Sequence, residues 1–198
     1  MTAGRRSLIA ATANPHKLDE IRAILGDRVE VVARPGDVAE VVEDRPTLVG
    51  NAMKKATAIF EATGTAAIAD DTGLEVPELG GEPGVRSARY AGEDATDADN
   101  VAKLLHALAG SGDRRARFVT ATVFVDDGGV IVWTGVCEGT IAEGPRGTSG
   151  FGYDPVFVPS EGDGRTFAEM TAEEKHAISH RGRAFDQVPR GLAEQRGW

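Results

Sequence analysis

Two adjacent aspartates, Asp70 and Asp71, interrupt the apolar segment "AIADDTGLEV" (67–76). Carboxylates beside buried strands cost desolvation free energy unless a cation or a hydrogen-bond donor pairs with them. Adjacent residues of a strand point to opposite faces, so one carboxylate can act while the other supports it. The pair therefore predicts a site that holds a cation or activates a water. The structural alternative, also open on these residues alone, is a turn at Thr72-Gly73 that Asp71 caps while Asp70 pairs with an arginine.

A candidate anion site lies where the apolar run "SLIAAT" (7–12) gives way to a helix. Asn14 is a good N-cap, Pro15 suits the first helical position, and Lys17 falls in the third. A helix N-terminus attracts anions, and the lysine adds a full positive charge. No G-x-x-x-x-G-K-[ST] motif occurs, so this is not a Walker A loop. The structural alternative is an ordinary capped helix with a surface lysine.

Three other arrangements of reactive side chains give weaker signals. Glu43, in the acidic stretch "EVVED", is either a third oxygen ligand or a solvated surface residue. His176 and His180 have the four-residue spacing of zinc ligands, but no H-E-x-x-H motif occurs and "SHRG" indicates that the helix ends there. Cys137 lies in a strand pattern and no G-x-S-x-G elbow occurs, which disfavours covalent nucleophilic catalysis.

The composition limits the classes of partner. The 198 residues carry a formal net charge of −9 and have a pI of about 5.0, which argues against a DNA or RNA polymer, because phosphate backbones bind basic surfaces. The one cysteine excludes an intrachain disulfide and a cysteine-based zinc site. The apolar run Leu8–Ala11 is shorter than the roughly 7–15 residues of a signal peptide. No stretch approaches the ~20 apolar residues of a membrane span, so we expect a cytoplasmic protein.

The elements that must position these residues alternate between strand and helix early in the chain. Periodicity and turn signals predict strands at 7–12, 66–70 and 74–77, a hairpin over 116–141, and helices at 15–25, 47–62 and 96–110, with two more beginning at Thr171 and after Gly182. The hairpin rests on the turn sequence "DDGG" (126–129) between two β-branched runs. This order favours the α/β class, with a mixed sheet flanked by helices in a single domain over 1–198.

Six segments, in one order along nearly the whole chain, resemble a known family. They are "TANPHK" (12–17), "NAMKKA" (51–56), "ADDTGLEV" (69–76), "PGVRSARYAG" (83–92), "FGYDPVF" (151–157) and "EEKHAISHRGRA" (173–184). The chain is similar in these segments to the inosine triphosphate pyrophosphatases, which hydrolyse non-standard purine nucleoside triphosphates. The resemblance implies a long, curved mixed sheet flanked by helices, with two lobes and a nucleotide cleft between them. It also implies a homodimer, a nucleoside triphosphate as the small-molecule substrate, and Mg²⁺ as the cofactor.

The resemblance also implies roles for individual residues. It implies that Asp71 orients or deprotonates the attacking water and that the metal ligands are Glu43, Asp70 and Asp71. It implies that the phosphates are held by Thr12, Ala13, Asn14, Pro15, His16, Lys17 and Lys55, with Thr72 touching the substrate. For the purine it implies stacking on Phe151, backbone room at Gly152 and a wall completed by Tyr153 and Asp154. It implies hydrogen-bond donors on the opposite side of the base from Lys175, His180 and Arg181.

Two positions depart from the family pattern. Ala13 stands where many relatives have glycine, and its methyl group fits if φ is negative there. Gly50 stands where the family often has an acid, which removes a metal or capping contact.

Two other functions keep part of this interpretation. A nucleotide-binding or sensing module would need the phosphate donors but has no use for paired carboxylates beside the phosphates. A related pyrophosphatase that prefers other bases would keep the chemistry and change only the base pocket.

Overall fold

The computed structural model describes residues 6–26 and 29–198. Its strands are β1 (Ser7–Ala10), β2 (Glu30–Ala33), β3 (Ala67–Glu75), β4 (Pro83–Gly84), β5 (Arg115–Asp126), β6 (Gly129–Ile141) and β7 (Phe157–Pro159). Its α-helices are α1 (Pro15–Leu25), α2 (Leu48–Thr63), α3 (Asp97–Ala107), α4 (Ala172–Ile178), α5 (His180–Phe185) and α6 (Val188–Arg196).

Within the described residues, the strands form one seven-stranded sheet. Its order is β2-β1-β3-β5-β6-β7, and β4 pairs with β3 outside this path. Strand β1 runs parallel to both β2 and β3, whereas β4 is antiparallel to β3 and β7 is antiparallel to β6. A sheet with both kinds of pairing and with helices between its strands confirms the predicted class, α/β with a mixed sheet flanked by helices.

The chain divides into two compact units. Unit 1 comprises Met1–Asp71, Thr120–Gly135 and Arg183–Trp198, of which residues 1–5 and 27–28 lie outside the described part. Unit 2 comprises Thr72–Val119 and Val136–Gly182. That residues 1–198 form one domain stays a prediction. In the described part of the chain, none of the helices has the length and apolar character needed to span a membrane.

The core of unit 1 follows from the alternation of side chains along its strands. On β3, Ala67 and Ala69 pack with α2, whereas Ile68 between them packs with α1 and α6. The cluster on the α2 side contains Ile9, Ala11, Ala52, Ala56, Ile59, Ala67, Ala69, Val123 and Val125. The cluster on the other side contains Leu8, Ile21, Leu25, Val29, Ile68, Phe124, Ile131, Trp133, Phe185, Val188 and Leu192. Because α2 presents small residues to the sheet, it can lie close to the strands.

The core of unit 2 is built around aromatic rings. The rings of Phe118 and Phe157 have centroids 4.7 Å apart, and Phe167 lies 5.1 Å from Phe157. Helix α3 covers this cluster with Val101 and Leu104, which are buried. Phe157 is the last residue of "FGYDPVF", the segment that carries several predicted substrate contacts. Its contacts with Phe118 and Phe167 anchor the end of that segment in the core.

The aspartate pair does not lie at a turn. The structure has one continuous strand, β3, where the sequence predicted two strands separated by a turn at Thr72-Gly73. The sequence predicts a turn at Gly73, but the φ of this residue is not positive and it continues the strand. Both carboxylates therefore sit inside a strand, at 1% exposure for Asp70 and 5% for Asp71.

Most other predicted elements are confirmed. Asn14 caps α1 by accepting hydrogen bonds from the backbone N–H groups of His16 and Lys17, and Gly26 ends the helix. The hairpin of β5 and β6 and the capping box at Thr171 also form.

The end of the chain differs from the prediction. Helix α5 begins before Gly182, and a further helix, α6, follows it. A side chain at Gly182 would put a Cβ atom 1.9 Å from the carbonyl oxygen of His176. The glycine is therefore a contact residue inside α5, and it does not mark the start of a last helix.

Candidate active site

The parallel pairing of β1 and β3 brings the first two predicted motifs together. Ile9 pairs with Ala67 and Ala10 with Ile68, so the turn after β1 and the aspartates of β3 lie at the same edge of the sheet. Lys17, in the first turn of α1, places its Nζ atom 3.3 Å from Oδ2 of Asp70. Asp70 thus shares with Ile68 the α1 face of β3.

The other face of β3 meets α2. Asn51 and Lys55 are one helical turn apart on α2 and so point in the same direction. The Nδ2 atom of Asn51 donates to Oδ2 of Asp71 at 3.0 Å. Lys55 Nζ donates to Oε1 of Glu43 at 2.5 Å and to the carbonyl oxygen of Asp70 at 2.8 Å. The expectation that the two aspartates face opposite sides of the strand is confirmed.

We call Lys17, Glu43, Asn51, Lys55, Asp70 and Asp71 the carboxylate–lysine cluster. Burial opposes the charge of Lys55, but the negative charges of Asp70, Asp71 and Glu43 outweigh it and raise its pKa. Burial and the charge of Glu43 raise the pKa of Asp71, against the effects of Lys55, Lys17 and the Asn51 hydrogen bond. Asp71 is therefore a better proton acceptor than an aspartate in water.

The cluster can be tested for its fit to a divalent cation. In residues 6–26 and 29–198, no three His, Cys, Asp or Glu side chains come together as a metal site. Asp70 is paired with Lys17, and Glu43 with Lys55. Mg²⁺ beside a nucleotide is usually held by one or two carboxylates together with phosphate oxygens. Asp71 and Glu43, whose charges repel each other, fit that arrangement, and the assignment of Glu43, Asp70 and Asp71 to a metal stays a prediction.

The turn between β1 and α1 is internally bonded. The N–H of Asn14 donates to Thr12 Oγ1, and the N–H groups of His16 and Lys17 donate to Asn14 Oδ1. Pro15 has no N–H group. The sequence argument that this turn offers its backbone N–H groups to an anion therefore weakens, and the Lys17 ammonium becomes its main cationic contribution. In the described chain no residue other than glycine has positive φ, so Ala13 meets the condition set for it.

Unit 2 holds a second group of predicted residues around a buried ion pair. Lys175 Nζ lies 2.7 Å from Asp154 Oδ2, and the two side chains are 6% and 4% exposed. The expectation that Lys175 and Asp154 lie on opposite sides of the base is therefore wrong, because the two side chains form a direct ion pair. The same Asp154 oxygen accepts the backbone N–H of Phe151 at 2.9 Å. The ammonium lies 5.2 Å from the centroid of the Phe151 ring and 5.7 Å from that of Phe167, within the range of a cation–π contact.

Helix α5 adds two further residues to this group. The guanidinium of Arg181 lies 5.6 Å from the Phe151 ring centroid, and its Nη2 donates to Thr72 Oγ1 at 3.2 Å. The His180 ring packs 4.4 Å from Phe118 and is 3% exposed. We call Phe151, Asp154, Phe167, Lys175, His180 and Arg181 the aromatic–cation cluster. His180 is part of a packed aromatic stack, and its contact with a base stays a prediction.

Tyr153 and Gly152 have structural partners. The Tyr153 hydroxyl donates to the carbonyl oxygen of Ser87 at 2.9 Å, and burial raises its pKa, which keeps it a neutral donor. The Gly152 N–H donates to Asp97 Oδ2 at 2.7 Å. Tyr153 therefore braces the predicted wall from inside the unit.

The sequence argument missed Asn51 and Phe167 of these clusters, and it also missed Gly150, which lies beside Asp154. Asn51 lies in the quoted segment "NAMKKA", four residues before Lys55, and that spacing could have placed it beside the carboxylates. Gly150 has φ +74°, and a Cβ there would lie 2.0 Å from Asp154 Oδ2, so only glycine lets the carboxylate reach Lys175. The "SG" before "FGYDP" was the available signal for it.

Comparisons with known proteins show the family to which the chain belongs. A curated relative from Porphyromonas gingivalis, named dITP/XTP pyrophosphatase, is 50% identical over 91% of this chain and 94% of its own. A relative of the same name from Syntrophobacter fumaroxidans is 46% identical over 96% of this chain and 84% of its own. The solved structure of a HAM1 protein from Coxiella burnetii has a TM-score of 0.87 and 40% identity, covering 96% of this chain and 99% of that chain. The model of the Ham1 family matches residues 8–190, and the chain belongs to that family.

Proposed function

We propose that this chain hydrolyses non-standard purine nucleoside triphosphates (ITP, dITP and XTP) to the monophosphate and pyrophosphate, and so removes them from the pool used for DNA and RNA synthesis. The observation that carries the proposal is the carboxylate–lysine cluster, where a buried Asp71 stands among lysines at the edge shared by β1 and β3. The name of the curated relatives, dITP/XTP pyrophosphatase, supports the choice of substrate.

In this proposal, Asp71 acts on the nucleophile. Its carboxylate accepts a proton from a water whose oxygen attacks the α-phosphorus, and burial favours this step by raising the Asp71 pKa. The bond from the α-phosphorus to the bridging oxygen breaks, and pyrophosphate leaves with the electron pair. Mg²⁺, when bound, supplies charge neutralisation on the phosphates and lowers the pKa of a bound water.

Lys17 and Lys55 serve the leaving group. Both are cations with little exposure, 16% and 13% of the side chain, so their charges are only partly screened. On substrate binding they stabilise the charge that develops on pyrophosphate. When Lys55 exchanges Glu43 for a phosphate oxygen, the Glu43 carboxylate would be available to hold the metal together with Asp71.

We assign base recognition to the aromatic–cation cluster. Inosine and xanthosine carry an oxygen at purine position 6, which accepts hydrogen bonds, whereas adenosine carries an amino donor there. Lys175 and Arg181 are donors only. If the 6-amino group of adenine faces them, a donor meets a donor and neither group has a hydrogen-bond partner. Each unpaired group costs about 1–3 kcal/mol, which is enough for roughly 10²-fold discrimination against ATP.

The expected homodimer and cytoplasmic location belong to this proposal as well. Light scattering coupled to size-exclusion chromatography tests the dimer, since a mass of one chain at micromolar concentration contradicts it.

Pyrophosphate release measured with ITP, XTP, GTP, ATP, CTP and UTP, each with and without Mg²⁺, tests the function. We expect turnover of ITP and XTP that needs Mg²⁺ and much lower kcat/KM for ATP. Binding of ITP without turnover would instead indicate a sensing module. Equal kcat/KM for ATP and ITP would contradict the assigned base preference.

A further inference from the structure

Asn51 is an unusual residue for its position in α2. It is the fourth residue after the Thr47 cap, its N–H bonds to the Thr47 carbonyl at 3.1 Å, and its side chain is 0% exposed. Asparagine is a poor helix former because its side chain competes for backbone hydrogen bonds. A buried amide also costs free energy unless its polar atoms are paired. A residue that breaks both local preferences has a role elsewhere in the fold.

The orientation of the Asn51 amide is fixed by its partners. The backbone N–H of Arg45 donates to Asn51 Oδ1 at 2.9 Å, while Asn51 Nδ2 donates to Asp71 Oδ2 at 3.0 Å. A backbone N–H is a donor only, so the atom facing it must be the carbonyl oxygen. The amide nitrogen then necessarily faces the carboxylate. The bond engages one of the two Asp71 oxygens and so restrains the rotation of the carboxyl group.

The same amide ties Asp71 to the segment that carries Glu43. Arg45 is two residues after Glu43, and Lys55, one turn beyond Asn51, bonds to Glu43 itself. We propose that Asn51 is a positioning residue, which fixes the Asp71 carboxylate and its separation from Glu43 for the reaction. This inference rests on the proposed function, because it assigns Asn51 a role in that same site.

Asn100 in α3 provides a matched control. It is also the fourth residue after a threonine cap, its N–H bonds to the Thr96 carbonyl, and it is 2% exposed. Its Oδ1 accepts the N–H of Ala91 and its Nδ2 donates to the carbonyl oxygen of Ala88. The two asparagines differ in what the amide nitrogen contacts: Asn51 donates to a carboxylate, whereas Asn100 donates to a backbone carbonyl oxygen.

The test compares Asn51→Leu with Asn100→Leu in full-length protein acting on ITP with saturating Mg²⁺. Both variants lose buried hydrogen bonds, so both should have lower thermal stability. Only Asn51→Leu should lose kcat, by about 10–100-fold, which is typical for a residue that orients a metal ligand. Its KM should change little, because Lys17 and Lys55 remain.

A second variant separates positioning from folding. Asn51→Asp keeps the acceptor for Arg45 and, in its ionised form, has no hydrogen to donate to Asp71. We expect its kcat to fall as in Asn51→Leu, while Mn²⁺ bound with α,β-methylene-ITP, followed by electron paramagnetic resonance, is held at least as tightly as by the unmodified chain. A residue with only a structural role would not lower turnover while metal affinity is kept.

Each outcome decides the inference. If the unmodified chain does not hydrolyse ITP, the proposed function fails and the inference fails with it. If the unmodified chain is active and Asn51→Leu keeps the kcat of Asn100→Leu, the inference alone is overturned. Failure of both Asn51 variants to fold under conditions where Asn100→Leu folds would make Asn51 a structural residue, and would also overturn it.

Discussion

The two clusters hold their charges in different ways. In the carboxylate–lysine cluster, Lys55 pairs with Glu43, and these side chains are 13% and 28% exposed. In the aromatic–cation cluster, Lys175 pairs with Asp154 at 6% and 4% exposure, with the rings of Phe151 and Phe167 near the ammonium. The first pair keeps contact with water, and the second does not.

This difference indicates a division of labour. A pair that water reaches can exchange partners, because phosphate or a cation can replace a lost contact. A buried pair cannot separate without leaving an uncompensated charge, so it holds one geometry. We therefore assign partner exchange and chemistry to the first cluster and fixed recognition of the base to the second.

The largest effect is expected from Asp71→Asn, which tests whether the chemistry belongs to the carboxylate–lysine cluster. The amide keeps the shape but cannot accept the proton of water, so kcat should fall by about 10²–10⁴-fold with every substrate while the fold survives. Steady-state pyrophosphate release and circular dichroism measure the two quantities. Asp70→Asn, whose partner is Lys17, is the control and should be less severe. Near-normal turnover in Asp71→Asn would show that Asp71 does not accept the proton of the attacking water.

The second prediction concerns the rigidity of the buried pair. Lys175→Met leaves Asp154 as a buried charge without its ammonium, so the free energy of unfolding should fall by about 3–5 kcal/mol. Adding Asp154→Leu should restore part of that loss, because it removes the carboxylate that Lys175→Met leaves buried without its ammonium. Urea unfolding of the two variants makes the comparison. A double variant less stable than Lys175→Met would show that the pair does not behave as a coupled unit.

A smaller effect is expected from the lysines of the first cluster. Lys17→Ala and Lys55→Ala should each lower kcat/KM, because each loses charge-assisted hydrogen bonds to phosphate. The loss of transition-state stabilisation should be roughly 1.5–3 kcal/mol for each variant. The loss should be the same for ITP and XTP, since both carry the same phosphates. Kinetics at low substrate concentration measure it, and unchanged kcat/KM in both variants would exclude the lysines from the site.

Local signals predicted the fold where one segment decides the structure. Asn14-Pro15 fixed the start of α1, and the "DDGG" turn fixed the β5–β6 hairpin, because capping and turn chemistry act within a few residues. The same local logic failed at Gly73, where glycine after two aspartates suggested a turn. The contacts of Asp70 with Lys17 and of Asp71 with Asn51, and the pairing of Leu74 with Gly84 of β4, lie along that extended stretch, and none of these partners is visible in the segment itself.

The site shows the same limit at longer range. Residue type and resemblance suggested roles for Asp71 and Lys55, and those roles stay predictions. The contacts between distant residues could not be predicted: Lys55 reaches Glu43 across 12 positions, and Lys175 reaches Asp154 across 21. Gly150 was missed because its importance lies in the space that it leaves for Asp154, which only three-dimensional packing defines.

The ratio of kcat/KM for ITP to kcat/KM for ATP tests the division of labour most directly. It should be measured for the unmodified chain, for Lys55→Ala, and for Arg181→Lys, which keeps the charge but loses the planar fork. We predict that Lys55→Ala lowers both values and leaves the ratio unchanged, whereas Arg181→Lys lowers the ITP value and reduces the ratio. A ratio that falls in Lys55→Ala, or that survives unchanged in Arg181→Lys, would contradict the account.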